Sequence, residues 1–340
     1  MRIGVLTAGG DCPGLNAVIR AVVVRSARHG VDVVGIRNGW EGLMRGEVTA
    51  QLGRDDVRGI LQRGGTILGT SRRDPYVHGD GLRSLQPTLE AHSIDGVVVI
   101  GGDGTLRTAL RLGEEGLRVV GVPKTIDNDI PATDLTFGFD TAVQIVADAL
   151  DRIATTAESH HRIMIVEVMG RTKGWIATYA GIAAGADAIL VPERPVDLEA
   201  VAEALRARHT SGRTYSIVVV SEGVELPGQG ATLAGVDAFG FDRLGGVGYA
   251  LAPELERLTG FETRVTVLGH LQRGGTPSAF DRVLATRLGV FAADLAAAGR
   301  WGTMTALCGT EIVSVPLAHA CAEVRGVPDD LIDVAETFYG

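Results

Sequence analysis

The stretch from Val97 to Ile130 constrains this chain more than any other. It opens with the apolar run VVVI, followed by Gly101, Gly102, Asp103, Gly104 and Thr105, and resumes at Val119 as VVGVPKTIDNDI. An unbroken apolar run closed by glycines predicts a strand buried on both faces, as in parallel sheets. Glycines at its end let backbone N–H groups approach an anion, and a helix opening at Thr105 favours negative charge at its N-terminus. An aspartate among phosphate-binding groups requires a divalent cation between them, which makes Asp103 a metal-binding candidate. The second run ends in Pro123, Lys124, Thr125, Asp127 and Asp129. In extended chain, residues two apart face one way, so one hydroxyl and two carboxylates are expected in one cleft. One carboxylate can take a proton from an attacking hydroxyl while the other helps hold the metal. An acidic loop that merely caps a helix is the simpler alternative. Two glycine-lined acidic loops after consecutive strands favour phosphoryl transfer.

At 340 residues the chain exceeds one ordinary core, so two lobes with a cleft are expected. With 47 glycines, 45% hydrophobic and 21% charged residues, it reads as a glycine-looped α/β enzyme and not as disorder. A net charge of −9 argues against a nucleic-acid surface, so anionic ligands must be held by local arginines. Cys12, Cys308 and Cys321 show no metal-ligand spacing and read as free thiols in a reducing compartment. The chain enters a strand at once (Arg2 to Thr7), leaving no leader-like region, and no apolar run approaches membrane-spanning length. The expectation is a cytoplasmic protein that binds neither nucleic acid nor membrane.

Along the chain, Arg2 to Thr7 and the glycine turn AGGDCPGLN lead into a helix running to about His29, the opening of a doubly wound domain. Neither a G-x-G-x-x-G fingerprint nor a Walker A loop occurs. Val31 to Ile36 predicts a strand, and Asn38-Gly39 a turn. RGGTILGTSRRDP (63–75) is a second glycine loop, whose Arg72 suits phosphate charge. Helical spacing covers Thr141 to Thr156, and a strand follows within Ser159 to Gly174, flanked by Arg162, Met169, Gly170 and Arg171. His160 and His161 diverge along the chain and read as surface residues. Strands are expected at Ala188 to Val191 and Ser216 to Val220, with a helix from about Leu198 to Arg208 between them; Ser221 and Glu222 fall at the ligand edge. Gly223 to Gly248 reads as a loop or insertion without assigned chemistry. After a strand at Glu262 to Leu268, the residues Arg264, His270 and Arg273 can hold a second phosphate. A helix (Ser278 to Ala298), a strand (Thr303 to Leu307) and a last helix (near Asp329 to Phe338) close the chain. Strands alternating with helices set the class as α/β.

Taken together, GGDCPGLN (9–16), GGTILGTSR (64–72), GGDGT (101–105), PKTIDND (123–129), HRIMIVEVMGR (161–171), VPE (191–193), SEG (221–223) and TRVTVLGHLQRGG (263–275) closely resemble the bacterial 6-phosphofructokinase family. GGDGT alone is shared with NAD and diacylglycerol kinases; TIDND with EVMGR and LGHxQRGG is highly specific. The resemblance implies two doubly wound lobes with mainly parallel sheets and the active site in the cleft between them. It places a phosphoryl-donor lobe at 1–138 plus about 272–322, and a fructose 6-phosphate lobe at 139–271 plus about 323–340. It implies Asp127 as the base that takes the proton of the sugar's 1-hydroxyl, supported by Thr125 and Asp129, with Asp103 helping to bind Mg²⁺. Arg72 and Arg171 would offset charge on the transferring group. Gly10, Gly102, Asp103, Gly104 and Thr105 match the donor loops. Arg162, Met169, Gly170, Arg171, Glu222, Arg264, His270 and Arg273 match the sugar-phosphate site, beside Thr125 and Asp127. In the family the arginines matching Arg162 and Arg264 come from a neighbouring subunit, which implies a homotetramer with shared sites.

ATP users of the family usually carry glycine at the positions of Gly104 and Lys124; pyrophosphate users carry aspartate and lysine. This chain has Gly104 with Lys124. A side chain at 104 would fill space needed by the nucleotide's α-phosphate, and glycine leaves it open, so ATP is the expected donor and pyrophosphate the alternative. Thr108, where ATP users often have glycine, tempers that reading. Arg20 and Arg54 match the family's effector positions, whereas Ala154 and Ser211 replace the usual cations, which predicts weak or altered allostery. A non-catalytic effector-binding subunit is a remote alternative.

Overall fold

The structure, a computed structural model, describes residues 1–228, 230, 232–236 and 242–339. The chain forms two compact units, Met1–Thr141 with Arg273–Val324, and Ala142–Gln272 with Arg325–Gly340. The first unit opens with β1 (Arg2–Thr7), β2 (Asp32–Ile36), β3 (Val48–Gln51), β4 (Gly96–Gly101), β5 (Val119–Thr125) and β6 (Phe137–Gly138). The second contributes β7 (Ile163–Val168), β8 (Ala188–Leu190), β9 (Ser216–Ser221), β10 (Leu233–Val236), β11 (Asp242–Leu244) and β12 (Thr263–Val267). The chain then returns to the first unit with β13 (Thr303–Cys308) and β14 (Glu311–Pro316).

In the first unit the strand order is β14-β13-β5-β4-β1-β2-β3, with β6 paired to β5. The inner strands β13, β5, β4, β1 and β2 run parallel, and antiparallel β14 and β3 form the edges. Every residue of β4 and β5 is buried, as apolar runs sandwiched between helices must be. Leu6, Ile36, Val97, Val99, Val119 and Met304 share one core cluster. On another face the helix Leu15–Arg28 packs on the helix Ala279–Ala297. A Cβ at Gly289 would come within 2.8 Å of both Ala21 Cβ and the Val18 carbonyl oxygen, so only glycine permits that approach. Strand order reverses beside β1, because β2 lies on one side of it and β4 on the other. Ligands of open α/β sheets bind beyond the carboxyl ends of the strands at such a point. The loops that emerge there are Ala8 to Asp11 and Gly101 to Asp103.

In the second unit β12-β7-β9-β8 is parallel throughout, over a core that includes Ile163, Ile165, Val218, Val220, Leu251 and Leu255. Here β7 has β9 on one side and β12 on the other, so Met169 to Arg171, Glu222 and Leu268 leave neighbouring strand ends. Among the described residues no helix is long and apolar enough to cross a membrane.

Several local expectations change. Gly223 to Gly248 is not simply a loop: it holds the antiparallel pair β10-β11 and the start of the helix Val247–Thr259. The stretch 237–241, and positions 229 and 231, lie outside the described residues. The turn signal at Asn38-Gly39 falls on a turn at Arg37 and Asn38, and Asn38 and Gly39, both at positive φ (53° and 59°), lead straight into the helix Gly39–Arg45. The helix expected at Thr141 to Thr156 runs from Phe139 to His160.

One buried carboxyl couples this fold to pH. Asp281 is 0% exposed, and its Oδ2 accepts from Thr141 N (2.8 Å) and Thr141 Oγ1 (2.5 Å). Burial, only partly opposed by those bonds, pushes its pKa up to about 6. A carboxyl whose pKa is higher folded than unfolded binds protons more tightly in the native state, so stability is lost as pH rises from about 4 to about 6. The full swing is on the order of 3 kcal/mol. The stability difference between wild type and D281N, measured by denaturant unfolding, is therefore expected to change across that window; parallel pH profiles would contradict it.

Candidate active site

The first unit gathers its loops at the switch beside β1. Gly9, at φ +84°, donates its N–H to the Ser71 carbonyl (2.9 Å), and Thr70 Oγ1 donates to the Gly9 carbonyl (2.6 Å). Thr7 Oγ1 adds a bond to the Gly69 carbonyl (2.7 Å). These bonds stitch the segment carrying the exposed Arg72 to the glycine turn after β1. At the end of β4, Gly102 caps the helix Asp103–Glu114 in extended geometry. The chain turns so tightly there that a Cβ on Gly101 would lie 2.3 Å from Thr105 Cγ2. A Cβ on Gly104 would meet nothing within 4 Å, so open space lies against the first turn of the helix. Asp103 Oδ1 accepts from Arg107 Nε (2.8 Å), and Arg107 spends its two terminal nitrogens on the Cys321 and Ala322 carbonyls (2.7 Å each). Thr108 Oγ1 donates to Asp74 and to the Gly104 carbonyl (3.0 Å).

At the end of β5, Lys124, Thr125, Asp127 and Asp129 are all buried, at 4, 8, 5 and 7% exposure. The chain does not stay extended here, which corrects the alternation argument. Asn128 takes φ +51°, Asp127 N donates to Thr125 Oγ1 (3.0 Å), and that hydroxyl donates to Asp127 Oδ2 (3.2 Å). A side-chain turn of this kind competes with strand geometry wherever Thr and Asp lie two apart. Thr136 buttresses it, donating through N to Asn128 Oδ1 (3.0 Å) and through Oγ1 to the Thr125 carbonyl (2.8 Å). The turn leaves Asp127 Oδ1 buried with no hydrogen-bond partner among the described residues. A fixed carboxylate with one uncommitted oxygen suits a proton acceptor.

Lys124 Nζ reaches back across the sheet to donate to the Gly10 carbonyl. Burial lowers its pKa, an effect that Cys12 and Asp127 counter and Arg273 reinforces. Burial likewise pushes the Cys12 thiol up. Arg273, expected with the sugar-phosphate residues, belongs to the first unit, where its Nη1 donates to the Asp11 carbonyl (3.3 Å).

The second unit gathers the others. Glu222 Oε1 accepts from Gly170 N (3.3 Å) and Arg171 N (3.0 Å), and Met169 N donates to Gln272 Oε1 (3.2 Å). Gly170 and Arg171 have φ of +150° and +53°, so this turn is held in a geometry that costs Arg171 strain. A Cβ on Gly223 would come within 1.9 Å of the Arg171 carbonyl oxygen. Arg162 Nε and Arg264 Nη2 converge on one carboxylate, Glu262, with Arg162 at 2.8 Å. The Arg162 hydrogen bond holds Glu262 below the usual carboxylate range. His270 lies exposed on the 3₁₀ turn Gly269–Arg273.

The donor set fits a magnesium ion. Asp103 offers a carboxylate at a helix N-terminus beside the open space at Gly104. Mg²⁺ takes one or two carboxylates and fills its other positions with phosphate and water oxygens. Among the described residues no cluster of three or more metal-ligating side chains occurs.

Residues that sequence reasoning did not assign include Arg107, Glu262 and the buried Gln272. Arg107 had a readable signal, since Asp103 and Arg107 stand four apart on a helix with the acid N-terminal. Gln272 stood in the LGHxQRGG motif but without a role, because its bond rests on the tertiary approach of Met169.

A family model described as Phosphofructokinase matches residues 2–296. A pyrophosphate–fructose 6-phosphate 1-phosphotransferase of Amycolatopsis methanolica is 54% identical, covering 100% of both chains. An ATP-dependent 6-phosphofructokinase 3 of Streptomyces coelicolor is 52% identical, covering 97% of each. The crystal structure of Pichia pastoris phosphofructokinase in the T-state superposes with a TM-score of 0.83 at 33% identity over 99% of this chain. That match spans 36% of the Pichia chain.

Proposed function

Because this chain belongs to the phosphofructokinase family, we propose that it transfers the terminal phosphoryl group of ATP to the 1-hydroxyl of fructose 6-phosphate, giving fructose 1,6-bisphosphate and ADP. The observation that carries this reading is Asp127, buried at 5% exposure, fixed through Oδ2 by Thr125 and uncommitted at Oδ1. As the sugar oxygen bonds to the γ-phosphorus and the bond to the β–γ bridging oxygen breaks, the hydroxyl proton passes to Asp127. Thr125 holds that carboxylate in register, and Asp129 adds negative charge nearby. The donor phosphates lie along the Gly10 turn and the Gly102 to Thr105 helix start, whose N–H groups favour anions. Arg72 and Arg171 offset charge on the transferring group. Asp103 would hold Mg²⁺, which would supply neutralisation of the donor's phosphate charge.

Two observations support ATP as donor. The space at Gly104 is open, and Lys124 is turned onto the Gly10 carbonyl instead of projecting as a free cation. Pyrophosphate is the second reading, favoured by the Thr108 side chain fixed on Asp74 and by the pyrophosphate-named relative.

For the sugar phosphate, Arg162 and Arg264 supply the charge, with Met169, Gly170, Glu222, His270 and Arg273 around the ligand. The protein works in the cytoplasm as a homotetramer in which those two arginines serve a neighbouring subunit's site. R162A or R264A is expected to weaken apparent fructose 6-phosphate affinity roughly ten- to a hundredfold, the worth of one charged hydrogen bond, with kcat changed much less. Steady-state kinetics reads this, and unchanged sugar-phosphate affinity in both variants would contradict the assignment.

Thermal shift tests the reading as a whole, because a ligand that binds only the native state raises the midpoint. Fructose 6-phosphate and ATP with Mg²⁺ are each expected to raise it and NAD to leave it unchanged. A shift with NAD alone would point to a different kinase.

A further inference from the structure

Two cations hold the carbonyls of the glycine turn after β1. Lys124 Nζ donates to the Gly10 carbonyl, and Arg273 Nη1 donates to the Asp11 carbonyl at 3.3 Å. Lys124 as a residue is 4% exposed, so little of its side chain meets solvent. Both side chains lie against the turn: a Cβ on Gly10 would come within 2.9 Å of Arg273 Nη1, and a Cβ on Gly9 would be in ordinary contact with Lys124 Nζ at 3.6 Å.

In a trans peptide the C=O and the following N–H point in opposite directions. A cation bound to the Gly10 carbonyl therefore turns the Asp11 N–H away from itself, and one bound to the Asp11 carbonyl does the same for the Cys12 N–H. An anion-binding turn needs this polarity, since a carbonyl facing a phosphate repels it while an N–H attracts it. Tying the carbonyls down before the ligand arrives spares the ligand that ordering cost.

We propose that Lys124 is a positioning residue for the phosphoryl-donor turn, acting through the Gly10 carbonyl to set the direction of the turn's N–H groups, and that it does not itself select between donors. The inference rests on the donor site described above. It places the choice of donor on the open space at Gly104 and on the Thr108–Asp74 wall, and it explains how a lysine is accommodated beside a nucleotide.

K124M keeps the length and the apolar stem and removes the donor atom. Hydrogen exchange of a peptide covering residues 8–14 is expected to accelerate at least roughly tenfold in K124M, the effect of losing one such bond, while β1 and β5 keep their protection. Binding of Mg²⁺–ATP and Mg²⁺–pyrophosphate, read by calorimetry, is expected to weaken by a common factor of about ten. Unchanged exchange over 8–14 would overturn the proposal. A change of tenfold or more in the ratio of the two affinities would also overturn it, making Lys124 a donor selector. If wild-type protein binds neither donor, the functional reading fails while the exchange measurement still decides the role of Lys124. Should K124M not fold, K124L, which likewise has no donor atom, takes its place with the same expected and overturning results.

Discussion

Asp127→Asn is expected to lower kcat with ATP and fructose 6-phosphate by roughly 10²–10⁴, with both Michaelis constants within a few-fold of wild type. The substitution is nearly isosteric, and the amide oxygen can still accept from Thr125 Oγ1, so the turn closed by the 3.0 Å bond from Asp127 N to Thr125 persists. What changes is the second atom. The buried, uncommitted Oδ1 becomes an NH₂ group, which donates where the reaction needs an acceptor. Positioning and charge stabilisation by the glycine turns and arginines survive, so some turnover remains. Steady-state kinetics with a thermal midpoint checks this; near-normal kcat would strip Asp127 of its role as base.

Gly104→Asp is expected to be nearly silent in the fold and severe in activity. A Cβ at 104 meets no atom within 4 Å, and an acid in the first turn of a helix complements its dipole, so the thermal midpoint should not fall. In the donor site the new carboxylate would face the nucleotide's phosphates, and apposed like charges cost several kcal/mol. With ATP, kcat/KM should drop by roughly 10²–10³, and with pyrophosphate, which has no third phosphate, by far less. Undiminished ATP turnover would remove Gly104 from the donor site.

The sequence was most legible where burial on both faces leaves an uninterrupted apolar run. VVVI lies within β4, VVGV opens β5, which continues to Thr125, and the strand expected within Ser159 to Gly174 is β7 (Ile163–Val168). The helix Trp175–Ala184 escaped notice for the same physical reason, since WIATYAGIAA is apolar nearly all round and has no polar face to set a period. Edge strands β3 and β14 have no fully buried residue, so neither shows the unbroken apolar run that marks the inner strands. In the site, residue types and spacing pointed to Asp127, Thr125 and Asp103 as candidate chemistry-bearing groups. Their geometry was not legible: the Thr125–Asp127 turn replaces the extended chain that spacing suggested. The bonds of Lys124 to Gly10 and of Arg273 to Asp11 join residues more than a hundred positions apart, which no local pattern encodes. Paired Arg162 and Arg264 meet at Glu262 only because β7 and β12 are neighbours in register, Thr263 opposite Ile163.

Fructose 1,6-bisphosphate formation by the purified protein, with Mg²⁺ and fructose 6-phosphate and with ATP or pyrophosphate as the sole donor, is the decisive assay. The open space at Gly104 and the engagement of Lys124 by Gly10 predict product with ATP. Product with pyrophosphate alone would contradict the choice of donor, and no product with either would contradict phosphoryl transfer at this site.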